Sequence, residues 1–213
     1  MRIILIHALS ESSAPINEAF ARLWPEPELR NILDDGLSKD LERAGVLDER
    51  MTQRFLMLGR YAIQGGADAI LFTCSAFGVC IDAVAADLAP LPVRKPTTAM
   101  VAQAVAHGGR VGLVASFEPT LASLTAEFPT GHDVVPILAR GALAALARGD
   151  EREHDRLVAD AAAGANVDIL ALAQFSLARA APAVRAQSGT PVLTTPDSAV
   201  RELALALNAV TRH

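Results

Sequence analysis

The sequence is short of several things. Aromatic residues make up 4% of it, and its formal net charge is -5. Nucleic-acid binding calls for a basic footprint and usually for aromatic stacking platforms, so this composition argues against a nucleic-acid partner. No apolar run reaches the roughly 18 to 20 residues that a bilayer span requires, because Arg, Asp, Gly or Pro interrupts every stretch. No membrane association is therefore expected. The opening Met1-Arg2-Ile3-Ile4-Leu5-Ile6-His7 is too short for a secretory leader and reads as a first buried strand. There are two cysteines, Cys74 and Cys80, in apolar surroundings. A disulfide framework is not expected from so few, and a reducing cytoplasm fits them. Cys-x-x-Cys and His-x-x-x-His are both missing and the five histidines are scattered, so no metal site is expected.

What is present is a globular composition, 51% hydrophobic and 20% charged over 213 residues. Short apolar runs alternate with longer segments of helical period, the pattern of parallel βα units. Strands are expected at 2–7, 69–73, 91–94, 110–115, 133–137, 168–173 and 191–194. Helices are expected at 48–65, 77–89, 97–107, 119–128, 140–149, 151–163, 177–188 and 197–207. The stretch holding Pro25 to Glu28 and Asp34 to Gly36 reads as a polar connection, either a cover over the site or a plain surface loop.

The chain also contains itself twice. Asp68-Ala69-Ile70-Leu71-Phe72-Thr73-Cys74-Ser75 aligns with Asp168-Ile169-Leu170-Ala171-Leu172-Ala173-Gln174-Phe175. Arg2 to Ile6 pairs with Arg110 to Val114, and Leu91-Pro92-Val93 with Thr190-Pro191-Val192, in the same order. The expected fold is therefore α/β: two pseudo-symmetric three-layer α/β/α lobes with parallel sheets and an active-site cleft between them. The first lobe would take residues 1–96, with a carboxyl-terminal helix at 197–213 returning to it, and the second 97–196. Ligands of such sheets bind outside the carboxyl ends of the strands, which would bring Cys74 and Gln174 to opposite walls.

Cys74 sits where a strand hands over to a helix, near unpaired backbone N–H groups and the positive end of a helix dipole. That position is expected to lower the thiol pKa and favour the thiolate. Thr73 and Ser75 add hydroxyls able to hold a carboxylate or a developing enediolate. Cys80, further into an apolar segment, reads as core. His7 ends the first strand and is either an acid/base partner of Cys74 or a hydrogen-bonded rim residue. Ser116, with Glu118 and Thr120, precedes a helix whose amino terminus suits an anion, although Glu118 equally reads as a first-turn acid. Ser10, Ser12 and Asn17 either contact substrate or cap the first helix. Lys95 would put a cation beside an acidic substrate, and Asp197 reads as the cap of the last helix.

These motifs resemble the aspartate/glutamate racemase superfamily, which includes hydantoin racemases, maleate cis-trans isomerase and arylmalonate decarboxylase. The resemblance rests on Phe72-Thr73-Cys74-Ser75-Ala76-Phe77-Gly78 after a strand and Ala171-Leu172-Ala173-Gln174-Phe175-Ser176-Leu177-Ala178 about a hundred residues on. It extends to Ile6 to Ser12 and to Leu193 to Ala199. It implies proton transfer without a cofactor at the carbon next to a carboxylate, on a small acid or amino-acid-like substrate. In the racemases two cysteines face each other across the substrate. Cys74 matches the first, and the second falls on Gln174, whose amide neither gives nor takes a proton at accessible pH. Gln174 would then orient the ligand, with Ser176 beside it as a binding residue. Three readings follow: a racemase-like isomerase working with Cys74; a one-thiol decarboxylase of the arylmalonate type, whose own thiol, by the resemblance, belongs in the second lobe; and a carboxylate-binding protein without turnover. A homodimer is expected on general grounds, closed dimers being the commonest assembly.

Overall fold

The structure is a computed structural model and describes residues 1–210. The chain divides into two compact units, Met1–Pro96 together with the chain from Val200 onward, and Thr97–Ala199. Residues 211–213, part of the expected returning helix, lie outside the described residues.

In the first unit the order is β1 (Arg2–His7), α1 (Ser13–Leu23), β2 (Glu28–Leu33), α2 (Gly36–Ala44), α3 (Glu49–Gln64), β3 (Ala69–Phe72), α4 (Gly78–Asp87) and β4 (Val93–Arg94). The second unit runs α5 (Thr98–His107), β5 (Val111–Ala115), α6 (Glu118–Thr125), β6 (Val134–Leu138), α7 (Ala142–Ala147), α8 (Glu151–Ala162), β7 (Ile169–Leu172), α9 (Ala181–Ser188) and β8 (Val192–Thr194). The last helix, α10 (Thr195–Val210), starts in the second unit and ends in the first. Each unit holds a four-stranded, all-parallel sheet, ordered β2-β1-β3-β4 in one and β6-β5-β7-β8 in the other. Helices lie on both sides of each sheet, as the unbroken apolar sequence of the central strands requires.

The central strands are buried on both faces. In β5, Val111, Leu113 and Ala115 pack into one apolar cluster while Val114 packs into another, and β7 splits the same way. That alternation is the two-residue period of a strand, read here between two helix layers. Each Ile or Leu so enclosed contributes about 1.5–3 kcal/mol of transfer free energy.

The internal repeat extends to individual hydrogen bonds. The amide of Asp68 donates to the Arg2 carbonyl while the Asp68 carboxylate accepts from the Arg2 amide at 2.7 Å; Asp168 and Arg110 do the same at 2.6 Å. Thr73 N–H donates to Ile6 as Ala173 N–H donates to Val114, and Ile70 to Pro92 as Leu170 to Pro191. Gly109 is required for this at the second site. Its φ is +75°, and a Cβ there would come within 3 Å of the Asp168 side chain.

The polar connection expected around Pro25 and Asp34 is instead structured. It contains β2 and α2, with β2 pairing parallel to β1 from Arg2↔Glu28 to His7↔Leu33. As an edge strand β2 buries only Leu29 and Ile32, and those partly, so it has no apolar run to betray it. The other strands fall within a residue or two of their expected limits, and the helix expected from Leu177 begins instead as a 3-10 stretch, Phe175–Ala180, before α9.

Candidate functional site

β3 ends at Phe72, and Thr73 and Cys74 continue it in extended form to a three-residue 3-10 turn, Ser75–Phe77. Phe77 pins that turn. It is fully buried and its ring meets Phe55 at 4.9 Å between centroids, with Phe55 in turn stacked on Phe72 at 5.3 Å. Cys74 is half-buried, and the N–H of Ala76 hydrogen-bonds its sulfur. Ser75 is half-buried and its hydroxyl has no hydrogen-bond partner among the described residues.

The thiolate expected at Cys74 is corrected by this geometry. Burial pushes the Cys74 thiol above its ordinary pKa, and the Ala76 N–H pulls it only part of the way back. The helix proper, α4, does not start until Gly78, so its positive end lies several residues from the sulfur. Burial thus disfavours the thiolate at this position. Cys80 is core, as expected: it is fully buried in the first unit's apolar cluster, and its sulfur lies 3.6 Å from the Thr52 hydroxyl.

His7 is 1% exposed, with both ring nitrogens occupied: Nδ1 lies 2.8 Å from Thr73 Oγ1 and Nε2 lies 2.8 Å from Asn31 Oδ1. Burial holds its pKa below the usual imidazole range, while the Asn31 contact acts in the opposite sense. Of the two expectations, the hydrogen-bonded residue is what the structure has, but His7 is buried and not at a rim. Asn17 joins the same network, donating from Nδ2 to the Ser13 carbonyl at 2.7 Å and to Asn31 Oδ1 at 3.1 Å. Ser10 bonds to the side chain of its neighbour Glu11, and neither Ser10 nor Ser12 caps a helix through its side chain.

Lys95 is not a free cation. Its ammonium is 2.7 Å from the Asp82 carboxylate. Nor is Asp197 a cap, because α10 already begins at Thr195, whose hydroxyl donates to the Leu172 carbonyl at 2.6 Å.

In the second unit, β7 ends at Leu172 and Gln174 stands in extended form before the 3-10 stretch. Its Oε1 accepts from the Ser116 amide at 2.7 Å and from the Ser116 hydroxyl at 2.9 Å. A backbone N–H can only donate, so the amide orientation is settled and Nε2 keeps two N–H donors for something else. Ser176 and Thr120 are half-buried on the adjoining turns, and Glu118 is the first residue of α6, a first-turn acid. Arg140, just past β6, was not singled out from the sequence. It is exposed and has no ion-pair partner among the described residues. Its only sequence signal is position, at the carboxyl end of a parallel strand. The open depression of about 860 Å³ in this unit lies at the other ends of the strands, around Arg110, Asp133 and Asp168, and does not mark the Gln174 site. No helix among the described residues is long and apolar enough to cross a membrane.

No protein-family model and no curated protein matches the sequence. Solved structures do. A glutamate racemase from Francisella tularensis, in complex with D-glutamate, is similar at a TM-score of 0.72 and 13% identity, over 99% of this chain and 82% of that one. An aspartate racemase homologue from Pyrococcus horikoshii is similar at 0.71 and 16%, over 96% and 98%. A glutamate racemase from Thermus thermophilus, in complex with beta-chloro-D-alanine, reaches 0.70 and 19%, over 99% and 81%. The chain thus has the two-lobed α/β fold of the glutamate and aspartate racemases.

Proposed function

We propose that the protein is a cofactor-independent, racemase-like isomerase that moves a proton at the carbon next to the carboxylate of a small acid or amino-acid-like substrate. The observation that carries this reading is Cys74, half-buried with an N–H on its sulfur at a strand end, in a fold shared with glutamate and aspartate racemases. In this reading the Cys74 thiol gives its proton to solvent as the substrate binds, its sulfur then takes the α-proton, and water returns a proton to the carbon from the other face; Ser75 and the N–H groups of the turn after Cys74 bind the substrate carboxylate and stabilise the enediolate between the two transfers. Ser116 orients Gln174, whose two N–H donors bind a second oxygen of the substrate. Ser10, Thr120, Ser176 and Lys95 serve binding in this reading, Lys95 only after leaving Asp82. His7 supports Thr73 from behind and exchanges no proton with the substrate.

Burial favours a second reading. A thiol whose pKa is raised keeps its proton at neutral pH and has one to give to a strong base, and a decarboxylase of a substituted malonate needs one acid only: the carbon–carboxylate bond breaks, carbon dioxide leaves, and the resulting enediolate takes its proton from the Cys74 sulfur, which solvent then reprotonates.

One experiment separates these. The protein is incubated in deuterated water with α-amino, α-hydroxy and 2-substituted malonic acids, each followed by NMR. Label entering the α-carbon of an otherwise unchanged acid supports the isomerase, and release of carbon dioxide supports the decarboxylase. If neither occurs with any acid that raises the melting temperature, the chain is a binding protein and the enzymatic reading is lost.

A further inference from the structure

The hydrogen bonds around His7 have a single consistent direction. The Ser13 carbonyl can only accept, so the Asn17 group facing it at 2.7 Å is the NH₂. That NH₂ also reaches Asn31 at 3.1 Å, which makes the facing Asn31 atom its oxygen. An oxygen at 2.8 Å from His7 Nε2 requires Nε2 to carry the hydrogen. In a neutral ring Nδ1 then holds the lone pair, and the Thr73 hydroxyl at 2.8 Å donates to it. The other acceptor within reach of Thr73, the Ile6 carbonyl, is further away at 3.4 Å.

The second unit shows that the fold does not need this network. The residues standing where His7, Thr73 and Asn31 stand are Ala115, Ala173 and Pro136, by the matched registers Leu5↔Asn31 and Leu113↔Pro136. Ala115 and Ala173 are buried as fully as their counterparts. A buried polar pair such as His7 and Thr73 costs free energy unless each member is hydrogen-bonded, and apolar residues close the same junction without it. The polar version stands only in the half that carries the cysteine.

We infer that His7 is a positioning residue, a neutral imidazole with its proton on Nε2, which holds the Thr73 hydroxyl and through it the strand end that presents Cys74. The inference rests on the proposed role of Cys74. It removes His7 as the second acid/base, and it removes the Thr73 hydroxyl as a donor to substrate, since that hydrogen is committed to Nδ1. Thr73 Oγ1 meets any further partner as an acceptor. Burial, which lowers the His7 pKa, keeps the ring neutral at pH 7, and none of its hydrogen-bond partners is charged. The ion pair on the neighbouring elements, Arg54 with Asp34, touches His7 only through the Asp34 N–H on the His7 carbonyl.

The tautomer is read directly by nitrogen NMR of the unmodified protein labelled at histidine. A pyrrole-type Nε2 and a pyridine-type Nδ1 that stay so from pH 8 to pH 6.5 are expected; an imidazolium at pH 7, or the opposite tautomer, overturns the inference. This readout uses no substrate, so it stands apart from the failure of the proposed reaction. Where a substrate turns over, His7→Gln, which keeps one donor and one acceptor, is expected to lower kcat about tenfold, below the roughly 10²–10⁴-fold that acid–base groups contribute, and to leave both limbs of the pH profile. Loss of a limb in His7→Gln would show His7 itself exchanging protons. Iodoacetamide labelling of Cys74, compared in the wild type and in Thr73→Val, supplies the readout for the strand end: a several-fold change in rate is expected, and equal rates would break the link between Thr73 and Cys74.

Discussion

The two units of this protein carry one backbone plan and two different strand ends. Both sheets have the same order, and both central strand pairs are closed at their amino ends by an Asp carboxylate on an Arg amide. At the carboxyl ends they diverge. The first unit has Cys74 with His7, Thr73 and Asn31 linked behind it, and the second has Gln174 held by Ser116 with alanines behind it. The difference teaches what the fold needs: the sheet interior and the amino-end clasp occur in both units, while two different sets of carboxyl-end residues close the same backbone plan. In the proposed reading the cysteine half moves the proton and the glutamine half holds the substrate.

The sharpest way to break that division is to compare Cys74→Ser with Gln174→Ala on whichever acid reacts. Removing the thiol should reduce kcat at least about a thousandfold, within the range for loss of an acid–base or nucleophilic group, whereas truncating Gln174 should act mainly on KM, by about tenfold for a lost hydrogen bond of about 1.4 kcal/mol. Equal losses in kcat would refute unequal roles. Next in size is the anchor beneath each turn. Phe77→Ala should cost about 3–5 kcal/mol in chemical denaturation and Leu177→Ala about 2–5, both being fully buried; only Phe77→Ala should also slow turnover, because its turn carries the thiol.

A smaller effect distinguishes the halves by pH. His7 has a folded pKa below its unfolded value of about 6.5, so the unfolded chain binds the extra proton first. Stability attributable to His7 is therefore complete above pH 6.5 and is lost as pH falls toward the folded pKa. Denaturation midpoints measured from pH 7.5 to 5.5 should show this fall in the wild type and a smaller one in His7→Gln. The second unit, with Ala115 and Ala173 at the matching positions, has nothing there to titrate. The smallest effect should be the same in both halves: Asp68→Asn and Asp168→Asn each weaken a carboxylate bond to an exposed amide and should cost about 1 kcal/mol or less. A large inequality between them would mean that the repeated clasp is not equivalent.

Much of this was legible in the residues and some of it was not. The buried strands declared themselves as apolar runs, and the duplication as paired runs with Asp68 and Asp168 leading them. Cys74 was legible because a cysteine between a buried strand and Gly78 is placed at a strand end by chain order alone. Its protonation was not, because burial depends on what packs around the sulfur. β2 was missed because an edge strand is held by backbone hydrogen bonds to β1, which leave no side-chain period to read. The pairing of Lys95 with Asp82, thirteen residues earlier, depends on how β4 and α4 pack, and local sequence does not carry it.

By itself, then, the sequence determined the alternation of elements, the two-fold repeat and the identity of the residues at each strand end, since these follow from local periodicity and order along the chain. Only the tertiary structure decided that His7 meets Thr73 and Asn31, that Ser116 holds Gln174 by its side-chain oxygen, and that burial works against a thiolate at Cys74. Those are contacts between strands far apart in the chain, and both hydrogen-bond direction and desolvation are properties of the packed neighbourhood, not of the residue.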